Sequence, residues 1–211
     1  MHKVQYDKPI ALIYNPNSGT KKNIRPVIAK RLTAEGIAHE FIPTAKQFDT
    51  YLIPNALDLS KYSALVAVGG DGSASEVFGG MLTNPSGLKL PCAYIPNGSG
   101  GMIGYDTGIY SVEDALDTIV ARTATKMGAV ECLADTEDAS TLPGGIEGFK
   151  RRRFMFLGVN IGNMQARWMG ASIPWKKYFG NGAYAFAFAK YLSCPVKKYL
   201  EKYEVEFDGV K

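Results

Sequence analysis

Cysteine and histidine are scarce in this chain of 211 residues: three of the former, Cys92, Cys132 and Cys194, and two of the latter, His2 and His39. An odd number of cysteines without framework or metal-ligand spacing argues against a disulfide scaffold, and so few histidines argue against a zinc site. Reduced core thiols are the expectation. No apolar run approaches the roughly 20 residues that cross a bilayer, and the start "MHKVQYDKPI" lacks the apolar core of a secretory signal. The expected setting is therefore soluble and cytoplasmic. Charge of one sign is also modest, with 24 Lys and Arg against 20 Asp and Glu and a net +4. That balance falls short of the density a nucleic-acid binder needs, but it suits an anionic substrate or a membrane surface.

What is present is a globular share of hydrophobic residues, 46%, arranged in alternating strand and helix patterns. "PIALIY" (9–14) is a short apolar run ending in "NPNSG", after which Ile24, Val27, Ile28 and Leu32 recur at helical spacing until Gly36. "HEFIPT" (39–44) reads as the next strand, and residues 46–58 as a helix around Phe48, Leu52 and Leu57 that Pro54 interrupts. "ALVAVGG" (64–70) and "PCAYIPNG" (91–98) are two more strands. "SVEDALDTIVAR" opens with Ser111 as an N-cap and acids in its first turn. This alternation predicts an α/β fold with a doubly wound, mostly parallel sheet, whose functional loops gather at the carboxyl ends of the strands.

Beyond about residue 125 the pattern changes. "MGAVECLAD" and "RRRFMFLGVNIG" read as strands flanking the turn-rich "TEDASTLPGG", and "GAYAFAFAKYL" (182–192) as a helix. The expected organisation is an α/β domain over 1–125 and a β-rich domain over 126–211. The second has too few strands to close a sheet, so a truncated fragment is expected.

Three glycine turns follow successive strands. Asn15-Pro16-Asn17-Ser18-Gly19 is trailed by Lys21, Lys22 and Arg25, and reads either as a phosphate turn or as a plain connection with a solvated basic face. Pro96-Asn97-Gly98-Ser99-Gly100-Gly101 is either a second phosphate turn or an ordinary flexible loop. The middle turn, Gly69-Gly70-Asp71-Gly72-Ser73, puts a carboxylate where a phosphate cradle would repel one. Phosphoryl transfer removes the conflict, because Mg2+ bridges phosphate oxygens and an acidic side chain takes the proton of an attacking hydroxyl. The plainer alternatives are Asp71 as a turn former capping the next helix and Glu76 as the far half of a capping box.

"GGDGS…EV", with "NPNSG" before it and "PNGSG" after it, resembles the catalytic region shared by diacylglycerol, sphingosine and ceramide kinases. GGDG alone would also suit an NAD kinase, which stays as an alternative. The resemblance runs on through "KKYFGNGAYAFAFAKYL" (176–192) and implies an ATP- and Mg2+-dependent lipid kinase, an α/β nucleotide domain followed by a β-sandwich, and peripheral contact with the membrane that holds the lipid. It implies that Asp71 is the base and that Gly69, Gly70, Gly72 and Ser73 wrap the ATP phosphates with Glu76 touching the nucleotide. It further implies ATP contacts from Asn15, Ser18, Gly19, Thr44, Gly98, Ser99, Gly100, Lys176 and Lys177.

Departures accompany the matches. Gly79 and Gly101 stand where the family carries Asn, and the family's distal DGE-type motif does not occur, Asp208-Gly209 lying too early to be it. These differences imply weaker ATP binding or a catalytically weak nucleotide- or lipid-binding pseudokinase. Gln165 stands where many relatives place a substrate-contacting Asp, and an amide cannot pair with the amine of a sphingoid base. Two remaining features have plain expectations: the Lys150-Arg151-Arg152-Arg153 run as a solvated strand entrance or a membrane contact, and the stripe Tyr184, Phe186, Phe188 and Tyr191 as core. Trp168, Met169, Ile173, Pro174 and Trp175 read equally as a lipid-facing rim, a domain core or a docking surface.

Overall fold

The computed structural model describes residues 2–16, 23–98, 101–134, 151–156 and 182–192, together with Ser172, Trp175, Tyr178 and Phe179. The chain divides into two compact units, Met1–Gly158 and Val159–Lys211.

In the first unit the elements are β1 (His2–Lys3), β2 (Ile10–Tyr14), α1 (Arg25–Ala34), β3 (His39–Pro43), α2 (Asp49–Ala56), β4 (Ala64–Gly69), α3 (Asp71–Leu82), β5 (Cys92–Pro96), α4 (Met102–Thr107), α5 (Val112–Ala121), β6 (Thr123–Ala124), β7 (Val130–Ala134) and β8 (Arg151–Met155). The sheet at its centre is wholly parallel, with strand order β3-β2-β4-β5. Both β2 and β4 are buried at every position, which is why they are apolar without alternation. One face of the sheet, through Ile10, Leu12, Val66, Val68 and Ile95, packs on α1 and α5. The other, through Ala11, Ile13, Leu65, Ala67 and Tyr94, packs on α3 and α4. This is the doubly wound arrangement expected, and β1 pairing with β6 ties the start of the unit to the end of α5.

Helix ends follow local chemistry. Ser111 accepts from the Asp114 N–H while the Asp114 carboxylate accepts from the Ser111 N–H, a complete capping box on α5. The expected helix 46–58 is shorter, Asp49–Ala56. Its start is set by the Asp49 carboxylate, which accepts from the N–H groups of Ala45 and Lys46, and by Phe48 in a left-handed conformation. Pro54 is accommodated inside it. Gly101 and Gly108, both left-handed, delimit the six-residue α4.

β7 and β8 form an antiparallel hairpin with Cys132 opposite Arg153. It lies on α3, where Phe156 meets Phe78 edge to face at 5.4 Å.

In the second unit, α6 (Gly182–Leu192) buries Ala183 and Ala187, one turn apart. The aromatic stripe expected to be core is not one: Phe186 is 56% and Phe188 44% exposed. Spacing explains the correction, since residues two apart on a helix project from different faces. Phe186 instead groups with Trp175 and Phe179, ring centroids 5.4 and 6.4 Å away, and both of those rings are exposed as well. The side chain of Tyr191 lies outside the described residues.

Candidate active site

The chain leaves β2 outward to β3 and then returns across it to β4, so the direction of winding reverses between β2 and β4. At such a switch point the loops after the two strands part and leave a crevice at their carboxyl ends. The residues flanking this crevice are stitched together. The Asn15 N–H donates to the Val68 carbonyl at 3.2 Å, and the Asn15 amide reaches the Ser73 hydroxyl at 3.5 Å. On the far side of β4 the Asn97 N–H donates to the Gly69 carbonyl at 2.7 Å, and beside β3 the Thr44 N–H donates to the Tyr14 carbonyl at 2.9 Å. The structure thus gathers Asn15, Thr44, Gly69, Gly70, Asp71, Gly72, Ser73 and Gly98 at one end of the sheet.

The middle and third turns touch through bare backbone. A Cβ on Gly98 would stand 2.3 Å from the Gly70 Cα, so glycine is required for the two turns to meet. Gly70 is the extended N-cap of α3, Gly72 is exposed, and Asp71 and Ser73 are half-buried.

Asp71 does not cap its own helix. Its two carboxylate oxygens accept from the backbone N–H groups of Met102 and Ile103, each at 3.1 Å. The carboxylate therefore sits on the first turn of α4, fixed by two donors while each oxygen keeps a further lone pair. Beneath it lies Tyr94, 3% exposed, whose hydroxyl has no hydrogen-bond partner among the described residues. Burial and, secondly, the Asp71 charge push the Tyr94 phenol up to about 12.

A second polar group lies between α2, α3 and the hairpin. The buried Thr50 hydroxyl donates to the Glu76 carboxylate. Burial raises the Glu76 pKa from its ordinary value, and Thr50 and the Arg153 guanidinium partly oppose that rise. Arg153 stands 5.2 Å over the ring of Tyr51, which is itself 3% exposed and hydrogen-bonded through its hydroxyl to Thr83. So Arg153 is not part of a merely solvated strand entrance; it is half-buried at this junction. The Tyr51 ring also lies 3.7 Å from where a Cβ on Gly79 would be.

Thr50 carried no sequence signal, Tyr94 read only as a strand residue and Arg153 only as one of a basic run; their places at the site come through the fold. Ser18, Gly19, Ser99, Gly100, Gln165, Lys176 and Lys177 lie outside the described residues. Among the described residues no group of three or more His, Cys, Asp and Glu side chains stands ready to hold a metal.

Known proteins share both the sequence pattern and the fold. A chain of Arabidopsis thaliana named sphingosine kinase 2 is 27% identical over 180 residues, covering 78% of this chain and 35% of that protein. A Staphylococcus epidermidis diacylglycerol kinase is 33% identical over 124 residues, covering 57% of this chain and 38% of that protein. The chain thus spans little more than a third of the length of these curated relatives. A crystal structure of a diacylglycerol kinase from Bacillus anthracis superposes with a TM-score of 0.50 at 23% identity, over 61% of this chain and 47% of that one, a likeness of fold. The family model of the diacylglycerol kinase catalytic domain matches residues 9–132, more than half of the chain and all of the sheet just described, so the chain belongs to that family.

Proposed function

We propose that this chain carries the nucleotide and acceptor site of an ATP-dependent lipid kinase. The observation that carries the reading is the Asp71 carboxylate, held by two backbone donors inside a glycine turn at the sheet's switch point. In this reading the acceptor hydroxyl of a lipid gives its proton to an Asp71 oxygen as its own oxygen bonds to the γ-phosphorus of ATP. The bond from that phosphorus to the β-phosphate oxygen breaks, and ADP leaves.

The residues present fit the two groups this chemistry needs. The backbone contact of Gly70 with Gly98 leaves no side chain between the turns, which suits phosphates approaching main-chain N–H groups. Ser73 and Asn15 add polar side chains beside them. Mg2+ is commonly held largely by substrate phosphates and waters rather than by an all-protein cage, so it would arrive on the ATP phosphates, and no protein ligand is assigned to it. When bound, the ion neutralises charge on the phosphates. Asn15, Ser18, Gly19, Thr44, Gly69, Gly70, Gly72, Ser73, Glu76, Gly98, Ser99, Gly100, Lys176 and Lys177 are the residues we assign to ATP.

We assign the nucleotide to residues 1–125 apart from Lys176 and Lys177, and the lipid to 126–211, at a membrane surface approached peripherally. No helix among the described residues is long and apolar enough to cross a membrane. The lipid is a diacylglycerol, a ceramide or a sphingoid base, and the uncharged Gln165 favours a neutral head group.

The test is transfer of labelled phosphate from Mg-ATP to mixed micelles of each lipid, with NAD as a competing acceptor, for the wild type and Asp71→Asn. Asp71→Asn is expected to lose at least about 100-fold in turnover, the scale of a removed general base, with ATP affinity kept. Turnover retained by Asp71→Asn removes Asp71 from the base role. Phosphorylated NAD would make the chain an NAD kinase, and ATP binding without any transfer would make it a nucleotide-binding pseudokinase.

A further inference from the structure

Glu76 is the one carboxylate of α3 besides Asp71, and it is not simply turned to solvent. Its oxygen already accepts from the buried Thr50 hydroxyl of α2. The cation whose charge acts on it is Arg153 of β8, in the hairpin that packs on α3. Arg153 reaches this place because its guanidinium lies over the face of Tyr51, next to Thr50 in sequence. Cation–π seating of this kind fixes a planar guanidinium more narrowly than a solvated one. Tyr51 in turn is pinned by its hydroxyl to Thr83 on the far end of α3, and the hairpin is pinned to α3 by Phe156 against Phe78.

We propose that Arg153 is a positioning residue of the nucleotide site: seated over Tyr51, it keeps the Glu76 carboxylate as an acceptor-only group against Thr50, so that Glu76 meets the hydrogen-bond donors of a nucleoside. This rests on the assignment of Glu76 to the nucleotide made above. A carboxylate this buried, without its cation, shifts toward the neutral acid, and a neutral acid presents a donor where the nucleoside also has donors.

Among the described residues the charged and titratable groups around Glu76 are few. From α2, Asp49 is occupied by the N–H groups of Ala45 and Lys46, and Tyr51 is a neutral phenol bonded to Thr83. From α3, Asp71 is five residues back and bonded to α4. From the hairpin, Glu131 stands opposite Phe154 in the register, on the strand face that alternates with that of Arg153. Among the described residues Arg153 is thus the charged group, beside the Thr50 hydroxyl, whose removal changes the state of Glu76.

The experiment is calorimetric binding of Mg-ATP from about pH 4, the ordinary Glu range, upward to about pH 8, for the wild type, Glu76→Gln, Arg153→Gln and Arg153→Lys. The Glu76 side-chain carboxyl is titrated in parallel by carbon NMR, and thermal denaturation confirms folding. Wild-type affinity is expected to fall as pH drops, and Arg153→Gln to move both that fall and the Glu76 titration to higher pH. Arg153→Lys restores part of each shift, and Glu76→Gln abolishes the pH dependence that the others share. If Arg153→Gln weakens binding equally at every pH and leaves the Glu76 titration in place, Arg153 is structural only and the proposal is overturned. If Glu76→Gln binds Mg-ATP like the wild type, the nucleotide role of Glu76 fails first and takes the proposal with it, even where the NMR titration still moves.

Discussion

Gly98 and Gly70 come from turns 28 residues apart and touch with no room for a methyl group. The Gly98→Ala protein must push its new Cβ out of a 2.3 Å approach to backbone, which cannot swing aside as a side-chain tip does. Overpacking of that kind costs about 1–3 kcal/mol. Thermal denaturation should register that loss, and Mg-ATP binding should fall with it, because the strain is taken up in the turns themselves. At this scale the sequence was legible where a residue type is required by backbone alone: the glycines of the turns declared themselves. It was silent where a side chain is defined by a partner. The plainer alternative for Asp71, a capper of the helix it starts, is not what the fold makes of it: its oxygens accept from Met102 and Ile103, more than thirty residues on. Thr50 and Arg153 are ordinary letters until α2, α3 and the hairpin meet at Glu76.

Among the elements, α2 and α3 are joined by a glycine step. A Cβ on Gly80 would stand 2.3 Å from the Tyr51 carbonyl oxygen and 3.0 Å from the Pro54 ring. Gly80→Ala is therefore expected to part the two helices, again at about 1–3 kcal/mol, and to draw Thr50 away from Glu76. A loss of stability together with a further rise in the Glu76 carboxyl titration is the expected pair of readings. A stability loss with Glu76 unmoved would show that the helices yield elsewhere. The strands were legible as elements because β2 and β4, buried on both faces, must be apolar throughout. α5 was legible through its Ser111 N-cap and first-turn acids. α4 was not, since its glycine- and threonine-containing sequence has little helix propensity of its own. What holds it is the buried Ile103 and the carboxylate of Asp71 at its first turn.

For the whole molecule, the raised pKa of Glu76 links stability to pH. The folded state prefers its neutral acid, so Glu76 contributes most to stability below the ordinary Glu pKa and loses that contribution as pH rises through the raised one. Glu76→Gln keeps an acceptor for Thr50 and has no charge to bury. It should match the wild type near pH 4 and melt at a higher temperature near pH 8, a stabilisation achieved by giving up the carboxylate assigned to the nucleotide. Equal melting temperatures at both pH values would mean that Arg153 and Thr50 fully offset the burial of the charge.

The order β3-β2-β4-β5 has one more consequence, which concerns synthesis. The central strand, Ile10–Tyr14, leaves the ribosome before either neighbour, whose residues are 39–43 and 64–69. Until then an apolar strand waits with both of its hydrogen-bonding edges open, the state in which chains pair with the wrong partner. The nascent protein is thus most vulnerable to aggregation while residues 10–69 emerge, and holding that interval safe is the service it would ask of a chaperone.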